Sequence, residues 1–192
     1  MINFSLGQAT DIAWHRGLAK ADEASEKQYL QMCAYKTGTL ARMSAKIATV
    51  LADASEDLVE KIGRFAEAIG VAFQMEDDIL DLVGEEFAEK KGGLGQDITE
   101  GKRTLIVIHA LKRANPNDKK RLVEILNMHT TDQELRDEAI SIMKKCGSIN
   151  YVKEFARNIV KESWGEVEGL LPPSDAKEKL RAFADYLVER KI

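Results

Sequence analysis

The feature that most limits what this chain can fold into is its long reach without proline. None occurs before Pro116, and the only others are Pro172 and Pro173. Proline is the strongest helix breaker, so everything before Pro116 is free to run as long helices. The apolar residues use that freedom. From Leu58 onward, Ile62, Phe65, Ala66, Ile69 and Phe73 recur at three- and four-residue helical spacing, and Ile79 and Leu80 follow about two turns further on. No segment alternates apolar and polar residues as a half-buried strand would. The expectation is an all-α fold. At 192 residues and 44% hydrophobic content the chain can bury a real core, and its length predicts a single helical domain, 1–192.

Capping residues divide the pattern. Gly84 can end the helix that carries Asp77, and a helix is expected to begin near Thr104. Asn115-Pro116-Asn117 separates it from one running to about His129. Thr131 or Asp132 caps the next, Gly147 ends it, and Ser148 opens another. Pro172-Pro173-Ser174 stops that one, and Ser174 or Asp175 starts the last. The one long irregular stretch expected is Gly84 to Lys102, which holds Lys90-Lys91-Gly92-Gly93-Leu94-Gly95. Long loops in compact helical domains are often lids or binding loops.

Lys and Arg number 28 against 32 Asp and Glu, a formal charge of −4, which gives no bulk attraction to nucleic acid or anionic membrane. The short basic clusters read as solvated helix faces. The two cysteines, Cys33 and Cys146, have no ligand-spaced partner and are expected to be buried free thiols in a reducing compartment. Met1 to Ala13 lacks the basic start and apolar run of a signal peptide. No stretch approaches the ~18 apolar residues of a spanning helix. A cytoplasmic protein without a membrane span is expected.

The strongest chemical signal is Phe73-Gln74-Met75-Glu76-Asp77-Asp78-Ile79-Leu80-Asp81. On a helix Asp77 and Asp81 share a face one turn apart, where like charges repel. Glu76 and Asp78 deepen the negative charge. A cation would offset it, and Mg²⁺ takes oxygen ligands from one or two carboxylates, completed by waters and phosphates. The flanking apolar residues suggest that the acidic face opens into the protein beside an apolar cavity. The other reading of Asp77, Asp78 and Asp81 is a solvated acidic face.

Two further segments carry cations. Gly95-Gln96-Asp97-Ile98-Thr99-Glu100-Gly101-Lys102-Arg103-Thr104 joins glycines, which permit close backbone approach, to lysine, a point-charge partner for phosphate. Tyr35-Lys36-Thr37-Gly38-Thr39 interrupts an apolar-periodic stretch. There Thr37 could bond back to a helix carbonyl and bend the helix, with Gly38 easing the bend. Carboxylates on one segment and lysines on others suit a polyanion held through Mg²⁺ on one side and by cations on another.

Leu6-Gly7-Gln8-Ala9-Thr10-Asp11, Lys36-Thr37, the aspartate segment and Asp97 to Thr104 stand in an order and spacing that resembles the trans-isoprenyl diphosphate synthases, the family of farnesyl and geranylgeranyl diphosphate synthases. The likeness runs from about Phe4 to the C-terminus. It implies an isoprenoid-synthase-type helical bundle, usually dimeric, and a prenyltransferase that condenses an allylic diphosphate with isopentenyl diphosphate. It also implies that Asp77, Asp78 and Asp81 hold Mg²⁺ and that Lys36 and Lys102 grip the allylic diphosphate. Thr37 and Gln74 would line the site near the developing cation. A further family lysine corresponds to Lys91, offset by about two residues counted back from Asp97.

The family's first aspartate-rich motif and its basic residues for isopentenyl diphosphate lie upstream of the glycine-glutamine motif, which here begins at Gly7. Asp77-Asp78 is the only adjacent aspartate pair. The expectation is therefore a C-terminal portion of a synthase, either a fragment or one subunit, working as a homo- or hetero-oligomer with an N-terminal piece supplied elsewhere. A non-catalytic regulatory or dimerisation subunit is the alternative, and an unrelated helical interaction domain a third reading. Product chain length is set by residues outside this sequence.

Overall fold

The structure, a computed structural model, describes residues 2–18, 23–84 and 93–189. Among them there is no strand, as the periodicity requires. Helix α1 spans Ile2–His15, α2 Glu26–Cys33, α3 Thr39–Leu51 and α4 Glu56–Val83. Then come α5 Gln96–Thr99, α6 Leu105–Arg113, α7 Pro116–Met128, α8 Gln133–Lys145, α9 Ser148–Val167 and α10 Asp175–Glu189. A π-helical turn, Ala34–Gly38, joins α2 to α3, and a 3₁₀ turn, Glu168–Leu170, follows α9. None of these helices is long and apolar enough to cross a membrane.

The caps fall where the side chains dictate. Thr104 Oγ1 accepts the Val107 N–H at the start of α6. Asn115 Oδ1 accepts both Asn117 and Asp118 N–H groups, with Pro116 in the first helical turn, where its missing N–H does no harm. Asp132 Oδ1, not Thr131, accepts the Glu134 N–H ahead of α8. The stretch expected to be irregular holds α5, a single helical turn.

The chain forms two compact units. The first comprises Met1–Gln8, Leu30–Glu76 and Glu154–Lys191. Its core includes Phe65, whose ring meets Trp164 at 5.4 Å and 57°, an arrangement aromatic quadrupoles favour. Close backbone contact is the theme here. A Cβ on Gly7 would sit 2.4 Å from Lys36 N, so only glycine lets α1 cross the π-helical turn. A Cβ on Gly70 would lie 2.9 Å from Gly38 Cα, so α4 packs on the same turn glycine against glycine. Helix α3 has no buried residue and is joined to α4 by charge. Arg42 donates to Glu67 at 3.0 Å and to Glu60 at 3.3 Å, and Lys46 donates to Glu60.

The second unit holds Ala9–Tyr29 and Asp77–Lys153. Helix α6 is its centre: Leu105 through Leu111 are all buried, so the helix is apolar almost all round, as a core helix must be. Leu122, Ile125, Leu126 and Met143 close around the interior and are fully buried. Each such side chain contributes about 1.5–3 kcal/mol of apolar burial. Of the two cysteines Cys33 is buried, whereas Cys146, expected to be buried, is only half so, because it caps the end of α8.

Candidate functional site

In the first unit the π-helical turn presents Lys36 and Thr37. At the position expected to bend, the helix takes a π-helical turn, and the hydroxyl that bonds back belongs not to Thr37 but to Thr39, which donates to Ala34 O at 3.1 Å. The Thr39 N–H also reaches Ala34 O, which widens the helix by one residue. Thr37 is thereby released to donate to Gln74 Oε1 at 3.2 Å on α4. Its proton is committed to Gln74, so the Thr37 oxygen is left with lone pairs to offer. Lys36 is half-buried.

In the second unit the end of α4 organises the following turn. Asp81 is buried. Its Oδ1 accepts the Gln96 N–H at 3.1 Å and its Oδ2 the Asp97 N–H at 2.9 Å. The Gly95 N–H donates to the Asp81 carbonyl at 2.8 Å. Asp81 therefore fastens the turn that begins at Gly95. That turn brings in Asp97, whose Oδ1 accepts from Lys102 Nζ at 2.7 Å, and Lys102 also pairs with Glu100 at 2.9 Å. Asp78 is buried and accepts the Tyr29 hydroxyl at 2.7 Å. Asp77 is half-buried.

This concentration of charge shifts the titrations. Burial, then the charge of Asp97, pushes the Asp81 carboxyl up to about 6, against the pull of its two backbone N–H donors. Asp97 is raised too, by burial first, with Lys102 opposing and Glu100 and Asp77 adding. Burial alone would lower Lys102, but the Asp97 and Glu100 carboxylates hold it above its usual value and firmly protonated.

The reading of Asp77, Asp78 and Asp81 as a solvated acidic face does not hold: Asp78 and Asp81 are buried and Asp77 is half-buried. Asp81, Asp97 and Lys102 come together in one turn, while Asp78 is occupied by Tyr29. Lys91 lies outside the described residues. Among those described, no three acidic, histidine or cysteine side chains form a ready-made metal cluster. What α4 and the turn offer is a set of carboxylate oxygens under mutual repulsion, a donor set suited to a hard cation that takes one or two carboxylates and completes its shell elsewhere. Sequence reasoning gave no role to Asp97, although it stands in the same motif as Lys102. It missed Tyr29 entirely, because nothing local links that residue to Asp78.

Comparison with known proteins points the same way. The family model for polyprenyl synthetase matches residues 1–143. A short chain isoprenyl diphosphate synthase of Methanothermobacter thermautotrophicus is 35% identical over 185 residues, covering 96% of this chain and 54% of that protein. One from Methanocaldococcus jannaschii is 44% identical over 150 residues, covering 77% and 42%. The crystal structure of geranylgeranyl pyrophosphate synthetase from Pyrococcus horikoshii superposes with a TM-score of 0.85 at 32% identity, over 98% of this chain and 55% of that one. The chain thus spans about half the length of these relatives. On its sequence and its fold alike, the chain belongs to the polyprenyl synthetase family.

Proposed function

We propose that this chain supplies the allylic diphosphate half of an isoprenyl diphosphate synthase, a prenyltransferase joining an allylic diphosphate to isopentenyl diphosphate. The observation that carries the reading is the turn fastened by Asp81, which sets a protonated Lys102 beside Asp97 at the end of the aspartate helix. In this reading Lys36 and Lys102 bind the diphosphate, and Lys91 joins them. Lysine has three N–H donors, and Asp97 and Glu100 take two of those on Lys102, so one remains to be given to a phosphate oxygen.

Asp77 and Asp81 would hold Mg²⁺ with phosphate oxygens completing its shell, and Asp78 would keep the acidic stretch in place through Tyr29. When bound, Mg²⁺ neutralises the diphosphate as a leaving group. The allylic carbon–oxygen bond breaks with its electron pair going to diphosphate. The isopentenyl double bond then forms the new carbon–carbon bond, and the proton lost from the resulting cation passes to the released diphosphate. Thr37, its proton given to Gln74, turns oxygen lone pairs toward the allylic cation. Assembly with a second copy or a complementary subunit belongs to the same reading; what supports it is the exposed apolar row Leu40, Met43, Ile47 and Val50 on α3.

The test is calorimetric titration of inorganic pyrophosphate with and without Mg²⁺. The parent chain binds it in a Mg²⁺-dependent way, and Lys36→Ala or Lys102→Ala each loses about 1.5–3 kcal/mol, the range for hydrogen bonds to charged groups. Lys91→Ala loses less. A parent chain that shows no Mg²⁺-dependent affinity refutes the reading.

A further inference from the structure

The turn that carries Lys102 is gripped by a residue that no sequence motif singles out. His129 caps the C-terminus of α7 with φ 49° and ψ 43°, in the left-handed region. A non-glycine residue there is strained, and glycine or asparagine is the usual occupant. The strain places an imidazole. Gly101, at φ 70°, lies so close beneath that ring that a Cβ would sit 2.6 Å from His129 Cε1 and 3.0 Å from Leu126 O. His129 Nδ1 is 3.2 Å from Thr99 O. A carbonyl only accepts, so Nδ1 carries the proton and donates.

Other ties leave the same helix end. Thr99 Oγ1 donates to Thr130 O at 2.7 Å. Arg103 donates to Gly101 O at 2.5 Å and to Asn127 Oδ1 at 2.6 Å. Thr99 and Arg103 are thus bonded to the end of α7, Gly101 packs against it and is held within the turn by Arg103, and Lys102 stands among them.

We propose that His129 is the positioning residue of Lys102: its ring, held over Gly101 by a left-handed backbone, fixes the turn from which the ammonium group reaches a diphosphate. The proposal rests on the reading of Lys102 as a diphosphate ligand. The fold itself does not need the ring. His129 is exposed, so truncating it opens no core cavity, and Thr130, Asn127 and Arg103 still hold the turn. A mere cap and a positioning residue therefore give different answers to one substitution.

That substitution is His129→Gly, with His129→Asn beside it. Glycine relieves the backbone strain, so the melting temperature holds or rises. Mg²⁺-dependent pyrophosphate affinity falls about tenfold, the equivalent of one hydrogen bond. Asparagine tolerates the left-handed backbone, retains a donor and recovers part of the loss. Hydrogen exchange reads the placement without any ligand. The Gly101 and Lys102 amides, bonded to Ile98 O at 3.0 Å and Asp97 O at 2.9 Å, exchange faster in His129→Gly while those of α6 do not. Affinity and exchange both unchanged overturn the proposal, and so does a melting temperature that falls in parallel with affinity. If the parent chain has no pyrophosphate affinity, the diphosphate reading fails and exchange alone decides: acceleration supports placement of Lys102 by His129, and its absence overturns it. If Lys102→Ala loses affinity while His129→Gly keeps it, the diphosphate reading stands and the positioning role falls.

Discussion

Asp77 and Asp81 share a helix face but not an environment, and replacing each with asparagine separates what they do. Asp81 sits at about 6 rather than 3.8, so its charged form is about 3 kcal/mol less favourable than in water, at about 1.4 kcal/mol per pH unit. The water that still reaches the carboxyl trims this to about 2 kcal/mol. Asp81→Asn relieves that penalty, which is already net of the two backbone donors, but turns an amide N–H₂ toward one of them and leaves that buried N–H unpaired, at a cost of about 1–3 kcal/mol. The two nearly cancel. Without ligand the variant should lie within about 1 kcal/mol of the parent, or about 2–4 °C in melting temperature for a chain of this size. Asp77→Asn relieves only the repulsion one turn away, a few tenths of a kcal/mol, and should hold or gain. With Mg²⁺ and pyrophosphate at about a hundred times the parent dissociation constant, the parent gains about 2.7 kcal/mol. Both variants lose most of that gain. The assay is a thermal melt followed by circular dichroism at 222 nm, with and without the ligand pair. A full ligand shift in both variants would refute the cation argument. A ligand-free loss in Asp81→Asn several times the expected few degrees would show that its charge is structural and needs no cation.

His109 is held below its ordinary value by burial first, then by Arg113 and Lys112, with Glu26 opposing; it lies 2.9 Å from Ser148 Oγ and stacks on Tyr151. The folded state binds fewer protons there than the unfolded chain, so its contribution is whole above about pH 6.5 and is lost as pH falls through the folded value; the melting temperature of the parent should fall more steeply from pH 7 to 5 than that of His109→Gln, and parallel slopes would refute this. Gly7→Ala drives a methyl to 2.4 Å from Lys36 N, and overpacking of about 1–3 kcal/mol outweighs about 1 kcal/mol of helix propensity; chemical denaturation should show a net loss with weaker pyrophosphate binding. The polypeptide 1–192 alone should give no steady incorporation of radiolabelled isopentenyl diphosphate, because its sequence has one aspartate-rich motif and the proposed function assigns it one diphosphate, and holding two substrates in register supplies much of the rate; turnover should appear when a polypeptide carrying the family's upstream segment is added, and turnover without it would refute the half-enzyme expectation.

The helices were legible because each signal was local. Thr104, Asn115 and Asp132 are side chains that accept from their own next turn, so their capping is visible in the order of residues. The apolar spacing that gives α4 and α6 is equally local. What could not be read is what needs two distant segments. Tyr29 meets Asp78 from 49 positions away, and the Gly7 contact with Lys36 depends on two helices crossing. The Thr37 misreading has the same origin: both Thr37 and Thr39 can bond back along a helix, and only the π-helical geometry gives that role to Thr39 and sends Thr37 to Gln74. For the site, the aspartates and lysines announced themselves by charge, whereas His129 lies in no motif and Asp97, though inside one, shows its tie to Lys102 only in the folded turn.

The departures from local rules gather at the motif residues. Lys36 and Thr37 stand on a π-helical turn, Asp81 and Asp97 are carboxylates pushed up in buried surroundings, and His129 holds a left-handed backbone beside Lys102. Sequences that fold well break such rules mostly where function demands it. Asp53, at φ 56°, shows that the association has exceptions, since it turns the chain between α3 and α4 away from any motif. The distinction lies in what each departure holds. Asp53 closes a short exposed connection. Asp81 anchors one end of the Gly95–Lys102 turn through two backbone donors, and His129 presses on the other end through Gly101. Because the turn is fixed at both ends, the ammonium of Lys102 has little freedom left to lose if an anion arrives, and that pre-organisation is what the proposed diphosphate role asks of a single lysine.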